Sequence, residues 1–269
     1  MPNVKDILHM RNPFTHNKDD EVCIPKNLNE KNASPPAPPA PAPPTVAQDS
    51  MAAPASAMAS SEAPLTVVEL FQSQGCNSCP PANANVIPLA DQPDKLVLTY
   101  EVTYWDYLGW PDTFGNKEWD TRQRDYSFAF KNRSVYTPQV IVNGVANGVG
   151  SRKSELASLL EQGASAVPTP LPVSVSAGTV TVGARPGTRG IVQLIRYDPR
   201  NQVVDIGRGE NRGEHLPHRN IVRELHVLGW WEGAELSFAI PEMTAQDGLS
   251  AAILVQKGRG GQILGAAKV

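Results

Sequence analysis

The chain has 269 residues, with three cysteines, 19% charged residues and a formal net charge of −3. That length suffices for one large domain or two small ones with a core of their own, and three cysteines exclude a disulfide-rich secreted scaffold. With a pI near 6.0, the charge balance argues against a general binder of nucleic acid or of anionic membranes. No run approaches the roughly 18 consecutive apolar residues of a membrane span, so we expect no transmembrane segment.

The first 63 residues have the composition of a disordered tail and linker. Twelve of the 25 prolines fall in residues 1–64, together with only one of the 17 aromatic residues, Phe14. The run SPPAPPAPAPP is a polyproline-type spacer without side chains that could build a core. The polar, proline-broken start does not fit the apolar stretch of a secretory signal. Cys23 also lies here, where an incidental thiol is a simpler interpretation than a resolving one.

A pair of cysteines follows the first predicted strand. Residues 65–72, LTVVELFQ, are an apolar and β-branched run of strand length, and Cys76 and Cys79 come next, before a short helix predicted over 82–91. A helix N-terminus stabilises a thiolate on the first cysteine, and the second lies one turn away, close enough to form a disulfide with it. The pattern therefore indicates thiol–disulfide chemistry, with the sulfur of Cys76 exposed and that of Cys79 shielded.

The same cysteine pair could instead form half of a structural zinc site. Zinc needs two further ligands, but the third cysteine lies in the tail and no histidine lies in the same segment. The five histidines are His9, His16, His215, His218 and His226. We therefore favour a redox pair and expect neither a bound metal nor another cofactor.

The following elements continue an alternating α/β pattern. The predicted elements are a strand over 95–102, a helix over 117–131, a strand before the turn at Asn143-Gly144, a weaker strand to residue 150 and a helix over 151–162. Together with the first strand and the Cys-x-x-Cys helix, this is the element order of the thioredoxin core.

A proline begins the third of these strands. Thr137-Pro138 stands directly before the β-branched run QVIV. In the thioredoxin order this position faces the cysteine pair, and because cis bonds are essentially confined to X–Pro, we expect it to be cis. An ordinary trans proline at a strand edge is the alternative.

Several segments resemble a known bacterial family. LTVVELFQSQGCNSCPPANA, YWDYLGW, TRQRDY, RSVYTPQVIVNG, GENRG and HRNIVREL are similar to the thioredoxin-like family called domain of unknown function 1223, from about residue 65 to the C-terminus. The resemblance implies a thioredoxin-like fold and a periplasmic or cell-envelope location. Where the family often has His-Val-Asp, this chain has Glu101-Val102-Thr103, so a proton-transfer role of that histidine or aspartate does not carry over.

Four further residues are candidates for the site. Trp105, Asp106 and Trp110 belong to a loop that should follow a strand on the cysteine side, where they could line a substrate groove. The alternative is that the aromatic residues of this segment pack the insertion onto the sheet. Glu69 stands seven residues before Cys76 in an apolar strand; a buried acid at a similar position in thioredoxins assists proton transfer to the second cysteine. Glu69 could equally point outward or pair with an arginine.

The last hundred residues change to a β pattern. Alternating runs separated by glycine-rich turns predict a small β-sandwich over 167–269, after a thioredoxin-like domain over 64–166. Residues 185–223 contain eight arginines against four acids, which fits solvated strand faces better than an acidic partner. His215 and His218 could bind a metal, although surface histidines are the simpler reading.

The favoured function is thiol–disulfide oxidoreductase. Cys76 would attack a disulfide of a protein or small-molecule substrate, Cys79 would resolve the mixed disulfide, and Thr137-Pro138 would present backbone groups to the bound substrate. An electron donor of unknown identity would complete the cycle. Two alternatives remain open: a copper- or other metal-handling protein using the same thiols, and a non-catalytic binding module on a thioredoxin-like scaffold.

Overall fold

The computed structural model describes residues 64–241 and 248–269. The predicted disordered tail, with Cys23, lies outside the described residues. Thirteen strands and three α-helices are described within these ranges. The strands are β1 Thr66–Gln72, β2 Lys95–Glu101, β3 Gln139–Val142, β4 Ala146–Gly148, β5 Val173–Ser176, β6 Thr179–Val182, β7 Gly190–Asp198, β8 Gln202–Asp205, β9 His215–His218, β10 Ile221–Trp231, β11 Leu236–Ala239, β12 Ser250–Gln256 and β13 Ile263–Lys268. The helices are α1 Cys79–Val86, α2 Lys117–Ala129 and α3 Lys153–Ser165.

The first helix begins earlier and ends earlier than the sequence predicts. The α-helical part starts at Cys79 itself, because the first turn of a helix tolerates the following two prolines. It ends at Val86, and a 3₁₀ segment, Ile87–Asp91, continues through Pro88, whose ring is incompatible with the interior of an α-helix.

One mixed sheet contains strands from both halves of the described chain. Its eight strands lie in the order β13-β12-β7-β10-β2-β1-β3-β4. β1 is parallel to β2 and antiparallel to β3, and β3 is antiparallel to β4. On the other side of β2, β10 pairs in parallel, with Ile221 opposite Thr99, and joins the C-terminal strands to the sheet.

The separate β-sandwich predicted for residues 167–269 is therefore corrected. β2 is an apolar and buried strand. If no strand paired with its outer edge, the backbone N–H and C=O groups there would be left unpaired. β10 covers this edge, and the Asn220 side chain before it donates a hydrogen bond of 2.8 Å to the Val97 carbonyl. Two stacked sheets are nevertheless present in this half of the chain. The small sheet β11-β6-β5 packs on the large sheet through an apolar cluster. That cluster includes Leu171, Val180, Val182, Val192, Leu194, Ile253 and Val255.

Helices cover both faces of the sheet beside β1. Because side chains alternate across a strand, Val68 and Leu70 face α1 and α3, whereas Val67 and Phe71 face α2. All seven residues of β1 are buried as a result, which explains why the strand reads as a nearly continuous apolar run. None of the helices in residues 64–241 and 248–269 is both long and apolar enough to cross a membrane.

Candidate functional site

The two cysteines lie where β1 gives way to α1. The chain leaves β1 at Gln72 and makes a tight turn, in which the N–H of Cys79 donates to the carbonyl of Cys76 over 3.2 Å. Cys79 is the first residue of α1. Cys76 therefore precedes the N-terminus of α1, where the positive end of the helix dipole favours negative charge, although Pro80 and Pro81 have no N–H and that of Cys79 is already paired.

The predicted cis proline lies beside the first cysteine. The Thr137–Pro138 bond is cis, as the sequence predicts, and it precedes β3, the neighbour of β1 in the sheet. The thiol of Cys76 donates to the carbonyl oxygen of Thr137, with a sulfur–oxygen distance of 3.8 Å. Two segments separated by 61 residues thus meet at the sulfur.

Trp105 belongs to the same group of contacts. Its indole N–H donates to the hydroxyl oxygen of Thr137 over 2.7 Å, and the whole residue is buried. A Cβ placed at Gly75 would lie 3.3 Å from the Cβ of Trp105, so the tryptophan packs closely against the residue before Cys76. Trp105 therefore lines the cysteine site, and a side chain larger than glycine at position 75 would crowd it.

Both sulfurs are buried, which corrects the expectation of an exposed Cys76. Cys76 is 1% exposed and Cys79 is 3% exposed. Trp105 packs against Gly75, and the amide of Asn211 donates to the carbonyls of Gln74 and Cys76, over 2.8 and 2.9 Å. Asn211 lies between β8 and β9, so the second half of the chain contributes directly to the site. Its only sequence signal was the GENRG segment of the family resemblance.

The other two residues of the predicted groove stabilise loops. Asp106 accepts a hydrogen bond of 3.0 Å from the backbone N–H of Asp112, and burial raises the pKa of its carboxyl. The indole of Trp110 donates to the side-chain oxygen of Gln74 over 2.9 Å. Trp110 is thereby held against Gln74, which lies two residues before Cys76, whereas Asp106 stabilises its own loop.

Glu69 forms a buried ion pair rather than facing solvent. Two nitrogens of Arg122 lie 2.8 Å from the same carboxylate oxygen of Glu69. The hydroxyl of Tyr126 donates to the second carboxylate oxygen. Glu69 is completely buried, and Arg122 also lies over the rings of Tyr100 and Tyr126. The pairing with an arginine, one of the alternatives for this residue, is the arrangement present.

A buried polar cluster beneath the cysteine turn was not found from the sequence. His218 lies 3.1 Å from a carboxylate oxygen of Glu101 and 3.4 Å from the side-chain nitrogen of Gln74. Asp112 accepts from the backbone N–H of Gln74 over 2.7 Å. Burial and the nearby charge of Glu101 raise the pKa of Asp112 to about 8. Burial lowers the pKa of His218, but Glu101 and Asp112 raise it by more, and the result is a raised value.

The histidine pair of β9 does not form a metal site. His218 is 2% exposed, whereas His215 is exposed and pairs with Asp205. Residues three apart on a strand point to opposite faces, so the expectation of two surface histidines is wrong for His218. Across residues 64–241 and 248–269, no cluster of three or more His, Cys, Asp or Glu side chains is placed to hold a metal ion.

Tyr104 is a further residue of the site that sequence reasoning did not single out. Its pKa is raised well above the usual range, first because the hydroxyl is buried and next because Cys76 and Cys79 lie nearby. The hydroxyl donates to the side-chain oxygen of Gln123 over 3.0 Å. A neutral phenol therefore lies close to the two sulfurs.

Comparison with known proteins identifies related chains. A family model described as "Protein of unknown function (DUF1223)" matches residues 67–256, in agreement with the resemblance found in the sequence. A crystal structure of a protein from Agrobacterium tumefaciens is similar at 29% identity and a TM-score of 0.65, covering 78% of this chain and 96% of that one. HBP35 of Porphyromonas gingivalis is similar in fold at 12% identity and a TM-score of 0.52, covering 77% of this chain and 74% of that one. No curated protein sequence matches the chain.

Proposed function

Because the chain belongs to the DUF1223 family, whose description assigns no activity, its function has to be inferred from the site, and we propose thiol–disulfide exchange by Cys76 and Cys79. The observation that carries the proposal is the meeting of three features. The second cysteine of a Cys-x-x-Cys pair begins α1, a cis proline precedes the adjacent strand β3, and the Cys76 sulfur contacts the carbonyl of Thr137.

The topology around β1 supports a thioredoxin-like assignment. Along the chain the elements run β1, α1, β2, α2, β3, β4, α3, and the strands lie in the order β2-β1-β3-β4. With β1 parallel to β2 and antiparallel to β3, this order supports the proposed assignment because a thioredoxin core has the same strand order and directions. Fold alone does not establish activity, so the proposal depends on the cysteine pair.

The proposed reaction conserves atoms and electrons in two steps. The thiolate of Cys76 attacks one sulfur of a substrate disulfide, forms a mixed disulfide and releases the other substrate sulfur as a thiolate. The thiolate of Cys79 then attacks the Cys76 sulfur, forms the Cys76–Cys79 disulfide and releases the second substrate thiol. The substrate gains two electrons and the protein loses two. An external dithiol of unknown identity would regenerate the reduced pair, and the reverse sequence would oxidise a substrate.

Each surrounding group has a role in this chemistry. The N-terminus of α1 stabilises negative charge near Cys76. The carbonyl of Thr137 precedes the cis proline and offers an acceptor for an extended substrate backbone, in the manner of strand addition. Trp105 fixes the orientation of Thr137 through its hydroxyl.

The burial of both sulfurs favours one alternative, a non-catalytic binding module. Exposures of 1% and 3% are low for groups that must contact a substrate disulfide. In that case the thiols would fill the core beside Trp105, and binding of a partner would not depend on them.

The test uses the full chain with Cys23→Ser, so that the remaining thiols are Cys76 and Cys79. Equilibration with dithiol–disulfide buffers should give a single two-electron transition, with a reduction potential within the roughly −270 to −120 mV of known Cys-x-x-Cys proteins. Cys79→Ser should trap a mixed disulfide with a model protein disulfide, and Cys76→Ser should trap none.

Three outcomes would contradict the proposal. The first is the absence of a Cys76–Cys79 disulfide at any potential. The second is stoichiometric copper uptake by the reduced chain without disulfide reduction, which would favour metal handling. The third is partner binding that Cys76→Ser leaves unchanged while exchange is undetectable, which would favour the binding module.

A further inference from the structure

A loop from the second half of the chain closes over the cysteine turn. This covering loop, residues 206–214, joins β8 to β9. Within residues 207–214 every residue is exposed except Asn211, which is 6% exposed. A polar side chain buried from an otherwise exposed loop indicates that its contacts position the loop.

Both donors of the Asn211 amide are used at the cysteine turn. The side-chain nitrogen donates to the carbonyl of Gln74 over 2.8 Å and to that of Cys76 over 2.9 Å. The carbonyl of Cys76 also accepts the N–H of Cys79 over 3.2 Å, and its second hydrogen bond comes from a residue 135 positions away. The asparagine therefore links the loop to the backbone that carries the attacking sulfur.

The base of the covering loop is held independently of its tip. Gly213 donates to the carbonyl of Ile206 over 2.7 Å, and Ile206 donates to that of Glu214 over 2.9 Å. Gly209 and Gly213 adopt positive φ angles of 80° and 90°, which glycine allows at little cost. The tip can therefore leave the cysteine turn with the base hydrogen bonds intact. The motion removes the two bonds of Asn211 and the packing of Gly207 and Gly209 on Trp110.

The exchange reaction needs such a motion. An attacking sulfur must make contact with a substrate sulfur in line with the disulfide that breaks, and Cys76 is 1% exposed. We infer that the covering loop is a gate over the Cys76–Cys79 pair and that Asn211 is the positioning residue that holds it closed. The inference rests on the proposed thiol–disulfide exchange, and it adds that exchange occurs only from the open state.

Alkylation of the reduced Cys23→Ser chain tests the gate. If reaction requires opening, the rate equals the open fraction multiplied by the intrinsic rate of the thiol. Each neutral hydrogen bond shifts such an equilibrium about 2- to 10-fold, so Asn211→Ala should accelerate alkylation of Cys76 about 5- to 100-fold. The rates with iodoacetamide and with a bulky maleimide should increase by the same factor, because both reagents react only after the same opening of the loop.

Two further variants make the test specific. Arg212→Ala, an exposed neighbour in the same loop, should change the rate less than twofold. Asn211→Asp keeps the side-chain shape but places a carboxylate against two carbonyls, so its acceleration should be largest at pH 8 and should decrease when acid restores an O–H donor. Rates should also stay constant in low urea, because local opening exposes little surface, whereas global unfolding would make them rise steeply.

The outcomes separate the gate from the function. Equal alkylation rates for Asn211→Ala and the unsubstituted chain, with disulfide exchange intact, would overturn the gate and leave the proposed function standing. Acceleration in Asn211→Ala without any disulfide exchange would support the opening and refute the function. A urea-dependent rate in both proteins would also overturn the gate.

Discussion

The buried pair Glu69–Arg122 allows a direct test of whether the acid of β1 is structural. Glu69 is 0% exposed, and the side chain of Arg122 is 8% exposed. Two Arg122 nitrogens lie 2.8 Å from one carboxylate oxygen, and the tyrosine hydroxyl of Tyr126 occupies the other. Removing either partner therefore leaves the other as a desolvated charge without its counter-charge.

The size of the effect follows from that desolvation. Breaking a buried ion pair on one side costs about 3–5 kcal/mol, so we expect Arg122→Met to lower the free energy of unfolding by this amount. Glu69→Leu should have a similar cost. Replacing both partners with apolar residues of similar size is often neutral or stabilising by about 1–4 kcal/mol, so Glu69→Leu combined with Arg122→Met should recover most of the loss. Tyr126 would keep its hydrogen bond of 2.9 Å from Gln256.

Urea unfolding followed by circular dichroism at neutral pH gives the free energy of unfolding of the unsubstituted chain, the two single variants and the double variant, which form a double-mutant cycle. Arg219→Ala is the matched control, since Arg219 pairs over 2.7 Å with Asp91, whose side chain is 70% exposed, and a surface pair contributes about 0–1 kcal/mol. Additive losses in the double variant would refute the ion-pair reasoning. A stable double variant that forms the mixed disulfide at Cys76 but no longer resolves it would show that Glu69 transfers protons in exchange.

Two further predictions concern the surroundings of the cysteines. Trp105→Phe removes the hydrogen bond of 2.7 Å to Thr137, and we expect a loss of about 2 kcal/mol in urea unfolding, with slower exchange because the Thr137 carbonyl is less well oriented. His218 and Asp112 both have raised pKa values in the folded protein, so each stabilises below its unfolded pKa and loses this contribution as the pH rises through the folded value. The free energy of unfolding should therefore decrease from about pH 4 to pH 8 through Asp112, and above about pH 6.5 also through His218, by at most about 1.4 kcal/mol per pH unit for each group. Above about pH 6.5 it should decrease less steeply in His218→Gln. Stability that increases over this range, or an unchanged slope in His218→Gln, would contradict the assignment.

Local features of the site could be predicted from the sequence. The strand before Cys76 was recognisable because a strand buried on both faces reads as an unbroken apolar run. Thr137-Pro138 was recognisable because proline is almost the only residue before which a peptide bond is cis. The mixed α/β class, and β1, β2 and β3 with their helices, follow from patterns of this kind, each contained within about ten residues.

Contacts between distant segments could not be predicted in the same way. Asn211 bonds the backbone of the cysteine turn, and a lone asparagine in a glycine-rich loop has no periodicity that indicates its partner. His218 was interpreted as a surface residue because its neighbour Pro217 and the pattern of β9 say nothing of Glu101, which lies 117 positions earlier. The pairing of β10 with β2 was missed for the same reason, since a parallel edge can accept any strand of suitable length.

The division into a catalytic domain and an accessory domain therefore does not describe this site. The sulfurs are supplied by the first half of the chain, at the carboxyl end of β1, but the second half contributes Asn211, which bonds the backbone of the cysteine turn. β10 extends the sheet at β2, and this brings β8 and β9 above α1, where the carbonyl of Pro217 accepts a hydrogen bond of 2.6 Å from Asn83. Because β9 is fixed to α1 in this way, the loop before it reaches the carbonyl of Cys76. The pairing of β10 with β2 thus also positions the covering loop. If this loop is the gate that we infer, access to the thiols depends on packing between the two halves of the chain.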